Sequence, residues 1–183
     1  MIGCIRLILA NPEMPAAPFP FEKTCASTLD RNLIDPAKLP RERIAKVSRL
    51  AVIGAYRRRK GDKRSPGTIS PDDFGSPERP RFPYVPVGLY FGMICQAQRH
   101  GIDTLLVLTE PRLARHLSLL GKHIKQIGGP VEHRGKRVPS MISVPGIVAG
   151  FGAFVRPPYE HSRDQVAAGC GRAQFARSQA PRA

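Results

Sequence analysis

The order of elements between residues 47 and 144 constrains this chain more than any other feature. It opens with an apolar strand, Val47-Ser48-Arg49-Leu50-Ala51-Val52-Ile53, and runs into the basic block Arg57, Arg58, Arg59 and Lys60. A polar insert over 61–86 contains six prolines and precedes an apolar helix over 87–100. A strand over 103–109, a short helix over 112–120 and a hairpin over 123–144 complete the series. This succession predicts an α/β sandwich: a mixed, mostly antiparallel twisted sheet with helices on both faces and a cleft between 47–53 and 105–109.

Each element has a local cause. Leu105-Leu106-Val107-Leu108 is continuously apolar, as in a strand covered on both faces. The helix over 87–100 has Pro86 at its start and Gly101 just past its end. Leu89, Tyr90, Phe91, Met93, Ile94, Cys95 and Ala97 surround it with apolar surface, the pattern of a buried helix. Gly88 and Gly92 weaken its propensity and open one face to a close neighbour, either a backbone or a ligand. The helix over 112–120 follows Pro111, repeats Leu113, Leu117 and Leu120, and stops at Gly121. Arg134-Gly135 supplies a hairpin turn between 124–127 and 138–144.

Upstream, Ile2 to Leu9 reads as a strand that Asn11-Pro12 ends. Residues 11–40 are proline-rich, with Phe19-Pro20-Phe21, a short helix near 27–33 and a helical turn over 40–44. The insert over 61–86 is too polar for a core and reads as a loop. Past Tyr159 the chain turns to Ala, Arg, Gln and Ser. The folded domain is therefore expected over 1–160, with a disordered tail over 161–183.

Of 183 residues, 29 are Lys or Arg and 14 are Asp or Glu, a net charge of +15. A field of that sign favours an acidic partner. Cys4, Cys25, Cys95 and Cys170 are far apart and form no Cys-x-x-Cys pair, which argues against a zinc ribbon, a redox motif and a disulfide framework. A reducing, cytoplasmic setting is expected. No apolar run approaches the ~20 residues of a membrane span. The N-terminal apolar run, interrupted by Arg6, reads as a strand and not as a signal peptide. His100, His116, His123, His133 and His161 show no metal spacing, so no metal is expected.

Several motifs carry a resemblance. Gly3-Cys4-Ile5-Arg6-Leu7, Val47-Ser48-Arg49-Leu50-Ala51-Val52 and Tyr56-Arg57-Arg58-Arg59 resemble the PEP-CTERM/exosortase system-associated acyltransferases. These belong with the bacterial N-acyl amino acid synthases and the acyl-homoserine-lactone (autoinducer) synthases of the GNAT superfamily. Gly101-Ile102-Asp103-Thr104, Thr109-Glu110-Pro111 and Ile127-Gly128-Gly129-Pro130-Val131-Glu132-His133-Arg134-Gly135 are similar to the same group. The resemblance spans about 2–159. It implies a GNAT-like acyl-CoA N-acyltransferase fold and transfer of a fatty acyl group from acyl carrier protein or acyl-CoA to a small amine such as an amino acid. The donor, acyl-phosphopantetheine or acyl-CoA, would be a substrate, with no permanently bound cofactor. Two departures stand out. The family's helical segment ahead of the Gly-Cys-x-Arg-Leu strand is missing, and Lys46 stands where the pattern tends to have Glu. Both point to an N-terminally truncated member, active or inactive.

Amine acylation needs a polarised thioester carbonyl, a neutral amine and a fixed donor. Backbone N–H groups of a kinked strand commonly meet the first need; the resemblance implies that kink at 50–53, with Leu50 and Val52 beside the substrate. Glu110 is the candidate general base, although a carboxylate ahead of Pro111 also suits a helix N-terminus. Ser48 is expected to orient the acceptor. Arg6 and Arg49 lie in apolar strands where an unpaired charge is costly; the resemblance implies that both hold structure or substrate at the pocket mouth. Arg57, Arg58, Arg59 and Lys60 would dock an acidic carrier protein, and the helix start at Pro86-Val87-Gly88 is placed to meet its phosphate. The main alternative is a catalytically inactive GNAT-like module that binds an acidic carrier through this basic face. A nucleic-acid binder ranks last, because aromatic–basic interleaving and zinc-finger spacing are absent.

Overall fold

The computed structural model describes residues 3–53, 75–76, 79–80, 85–111, 124–153 and 155–178. The basic block at Arg57, Arg58, Arg59 and Lys60, most of the insert and the expected helix over 112–120 lie outside these residues.

A six-stranded sheet forms the centre. Strand β1 (Gly3–Leu9) pairs antiparallel with β2 (Ile44–Val52), and β2 pairs parallel with β5 (Thr104–Thr109). Strand β8 (Lys136–Ser143) pairs antiparallel with β5, with β6 (Ile124–Gln126) and with β7 (Val131–Glu132). Within the insert, β3 (Gly75–Ser76) and β4 (Arg79–Pro80) form a separate two-residue pairing. The sheet is thus mixed and mostly antiparallel, as the element order predicts.

Helices α2 (Val85–Arg99), α3 (Val144–Ala149) and α4 (Arg156–Ser178) lie on one face. Fully buried Phe91 meets the rings of Phe151 and Tyr159 at centroid distances of 5.6 and 5.8 Å. Ala45, Val47, Leu105, Val107 and Ile142 supply the sheet side of this core. The opposite face is covered by the proline-rich segment and α1 (Pro20–Thr24), which bring Phe19, Phe21 and Cys25 against Ile44, Leu106 and Ile127. Burying a phenylalanine side chain contributes about 1.5–3 kcal/mol, so Phe21 alone gives this irregular segment a strong reason to dock. Glu22 secures it further: its carboxylate accepts the Phe19 N–H at 2.7 Å and a bidentate pair from Arg41 at 2.6 and 3.0 Å.

Four local expectations are corrected. The early helix occupies Pro20–Thr24 and not 27–33, because Leu29 is drawn into a bridge with Gly128. Strand β2 starts at Ile44, since Ile44 and Ala45 pair with Thr104 and Leu105, and Ile53 falls past its end. The hairpin arm ends at Ser143, whose hydroxyl accepts the Gly146 N–H and caps α3. Residues 161–178, expected to be disordered, continue α4, with Tyr159, Val166 and Cys170 at helical spacing towards α2. Among the described residues no helix is long and apolar enough to cross a membrane.

Candidate active site

Strands β2 and β5 run side by side only from Ile44 and Thr104 to Val47 and Val107. Beyond Val47, β2 meets no strand on its β5 side among the described residues. The cause lies in β2 itself. Its register against β1 shifts between Arg6↔Ser48 and Cys4↔Ala51, so Arg49 and Leu50 together oppose Ile5. This is a β-bulge, which bends a strand and sharpens its twist. Arg49 has φ +55°, a left-handed conformation uncommon for a residue other than glycine. The kink was expected over 50–53; it falls at Arg49 and Leu50.

The splay opens a cavity of about 400 Å³. Its walls differ by sheet face. Ile5, Val47, Tyr90, Met93, Val107 and Ile142 line the side that faces α2. Arg6, Lys46 and Ser48 line the other, with His133, Arg134 and Arg137 across from them on the β7–β8 hairpin. The Arg6 guanidinium donates to the Ser48 hydroxyl at 3.0 Å. Tyr90 is buried, and its hydroxyl has no hydrogen-bond partner among the described residues. Burial pushes its ionisation well above the usual tyrosine range. Lys46 is half-buried; burial first, and then the nearby Arg6 charge, push its ammonium below the usual lysine range.

The structure brings some expected site residues together and separates others. Arg6, Ser48, Arg49 and Leu50 line the cavity. Val52 is buried past the bulge, opposite Gly3, and is not part of the lining. Gly88 lines a neighbouring groove of about 410 Å³ between β1 and α2, which shares Ile5 and Met93 with the cleft. In the same groove a Cβ on Gly92 would meet nothing within 4 Å, so tight helix–sheet packing does not account for that glycine. Glu110 lies outside the lining, exposed, and pairs with the Arg137 guanidinium at 3.2 Å. Sequence reasoning passed over His133, Arg134, Arg137 and Tyr90 as site residues. The turn signal at Arg134-Gly135 was visible, but only the sheet topology carries that turn to the cleft.

This architecture matches solved structures. The AHL synthase LasI superimposes over 83% of this chain and 66% of its own, with TM-score 0.51 at 14% identity. FeeM, an N-acyl amino acid synthase from uncultured soil microbes, aligns over 82% of this chain and 65% of its own, with TM-score 0.49 and 18% identity. TofI aligns over 87% of this chain with TM-score 0.47 and 17% identity, and the chain spans 65% of TofI's length. No protein-family model and no curated protein matches the sequence. The chain therefore shares the fold of LasI.

Proposed function

We propose that this chain is an N-acyltransferase that moves a fatty acyl group from acyl carrier protein or acyl-CoA to an amine such as an amino acid. The observation that carries this reading is the cleft at the β2–β5 splay, apolar on one face of the sheet and cationic on the other. A fatty acyl chain suits the wall of Ile5, Met93, Val107 and Ile142, while the polar reactants suit the opposite face. The thioester carbonyl would meet N–H groups of β2 near the bulge, where no described strand pairs on the β5 side. The amine nitrogen attacks that carbonyl, the C–N bond forms and the C–S bond breaks. The nitrogen gives up a proton, and the donor leaves as a free thiol.

In this reading Ser48, held by Arg6, orients the acceptor, and Arg49 neutralises an anionic group of a substrate. His133, the imidazole in the cleft lining, is assigned the role of general base. Glu110 is assigned to fixing Arg137. Docking of acyl carrier protein through Arg57, Arg58, Arg59 and Lys60 rests on their charge alone, and phosphate binding at the start of α2 rests on the general property of helix N-termini. A cytoplasmic setting rests on the spacing of the four cysteines, and an association with PEP-CTERM/exosortase systems on the sequence motifs.

The test is mass spectrometry of long-chain acyl carrier protein, or the matching acyl-CoA, incubated with the protein and pooled amino acids. An N-acyl amino acid is expected, with kcat/KM about 10–100-fold lower in Arg49→Ala. Donor binding without release of thiol would favour the inactive binding module. Neither binding nor release would overturn both readings.

A further inference from the structure

Lys46 is a cation without an obvious purpose in the fold. It is half-buried on β2, and none of the ion pairs among the described residues includes it. The Arg6 charge that acts on it has the same sign. Among the described residues the cavity lining holds five cationic side chains, Arg6, Lys46, Arg49, Arg134 and Arg137, and no carboxylate. Glu110 balances only Arg137. A charge drawn out of water without a partner is costly, and half-buried Lys46, nearer the apex of the splay, has no anionic partner among the described residues; exposed Arg49 at the bulge is a second cation on the same wall.

We infer that Lys46 selects the acceptor: the amine that enters the cleft carries two anionic groups, as an acidic amino acid does, and the second group meets Lys46 beside Arg6. This rests on the acyl-transfer reading above. Spacing favours the acceptor over the donor as the source of that second anion. Lys46 is three residues from Arg49, at most about 10 Å along a strand, and the pantetheine arm of a donor keeps its phosphate well beyond that span from the thioester. An arriving anion would also offset the burial and the Arg6 charge that act against the Lys46 ammonium.

The test compares glutamate, its neutral isostere glutamine, and lysine as acceptors with one long-chain acyl-CoA, following thiol release and product mass. The wild-type protein should prefer glutamate over glutamine by about 10–100-fold in kcat/KM. Lys46→Met should erase that ratio, Lys46→Glu should turn it towards lysine, and Lys46→Arg should keep it. Glutamate and glutamine used within twofold of each other by the wild type would overturn the inference and leave acyl transfer standing. A Lys46→Met protein that raises KM for acyl-CoA while keeping the glutamate preference would also overturn it, assigning Lys46 to the donor. If no acceptor is acylated, acyl transfer itself fails. Titration calorimetry with glutamate then decides the charge selection separately: binding lost in Lys46→Met supports it, and absence of binding overturns it.

Discussion

A Cβ at Gly128 would stand 2.3 Å from the Thr28 carbonyl oxygen and 2.9 Å from the Leu29 Cα. Backbone this close cannot move aside without breaking the Leu29–Gly128 bridge and the flanking bonds from Asp30 to Ile127 and from Gly129 to Thr28. Gly128→Ala should therefore destabilise the protein by about 1–3 kcal/mol, read as a lower urea midpoint. The loss should fall on the face built by Phe19 and Phe21, since this bridge ties their segment to the sheet. Single residues in the cleft were unevenly legible. Arg6, Ser48 and Arg49 could be named from sequence because charged and polar side chains in apolar strands demand a reason. Lys46 could be seen but not placed, because its isolation is a property of the neighbours that the sheet gives it.

At the scale of elements, few apolar side chains among the described residues hold helix α4 to the domain. Tyr159 is buried against Phe91 and Phe151, and its hydroxyl donates to the Gln98 side chain. Val166 and Cys170 extend the contact towards α2. Tyr159→Ala should cost about 3–5 kcal/mol by analogy with other aromatic deletions, and limited proteolysis should then cut first within α4. The helix escaped sequence reading for a physical reason. Ala, Gln and Arg are good helix formers, but a stripe this narrow looks like low hydrophobicity when composition is averaged along the segment. The interior strand β5 and helix α2 were legible because burial on several sides leaves an almost uninterrupted apolar run. The bulge in β2 was displaced from its expected position, since no residue type marks a left-handed arginine in advance.

For the molecule as a whole, buried ionisable groups set the response to alkali. Burial raises the Cys25 thiol to about 11 and Tyr159 to about 12, and it also raises Cys95 and Tyr90. Groups raised on folding stabilise fully below their unfolded values, about 8.5 for Cys and 10 for Tyr, and that stability is lost as pH climbs through the folded ones. Lys46 acts in the opposite sense. Its folded value is lowered, so its contribution is present above about 10.4 and is lost as pH falls through the folded value. With four such groups against one among the described residues, the urea midpoint should fall from about pH 8.5 upward, Cys25 alone accounting for about 2–3 kcal/mol by pH 11. Cys25→Ala should flatten the slope between pH 9 and 11, whatever its effect on the midpoint at neutral pH. A wild-type midpoint level to pH 11 would count against this account.

The parallel pairing of Ile44–Val47 with Thr104–Val107 is also a seam. On one side β1 and β2 form a half-sheet; on the other, β5, β8, β6 and β7 form a second. Each half closes over shorter stretches of chain than the pairing that joins them, so the seam asks for the longest loop closure in the sheet and should be late to assemble. The cleft opens at that joint. A ligand that touches both walls would act as a clasp across the two halves, and occupancy of the cleft would be felt as rigidity throughout the sheet.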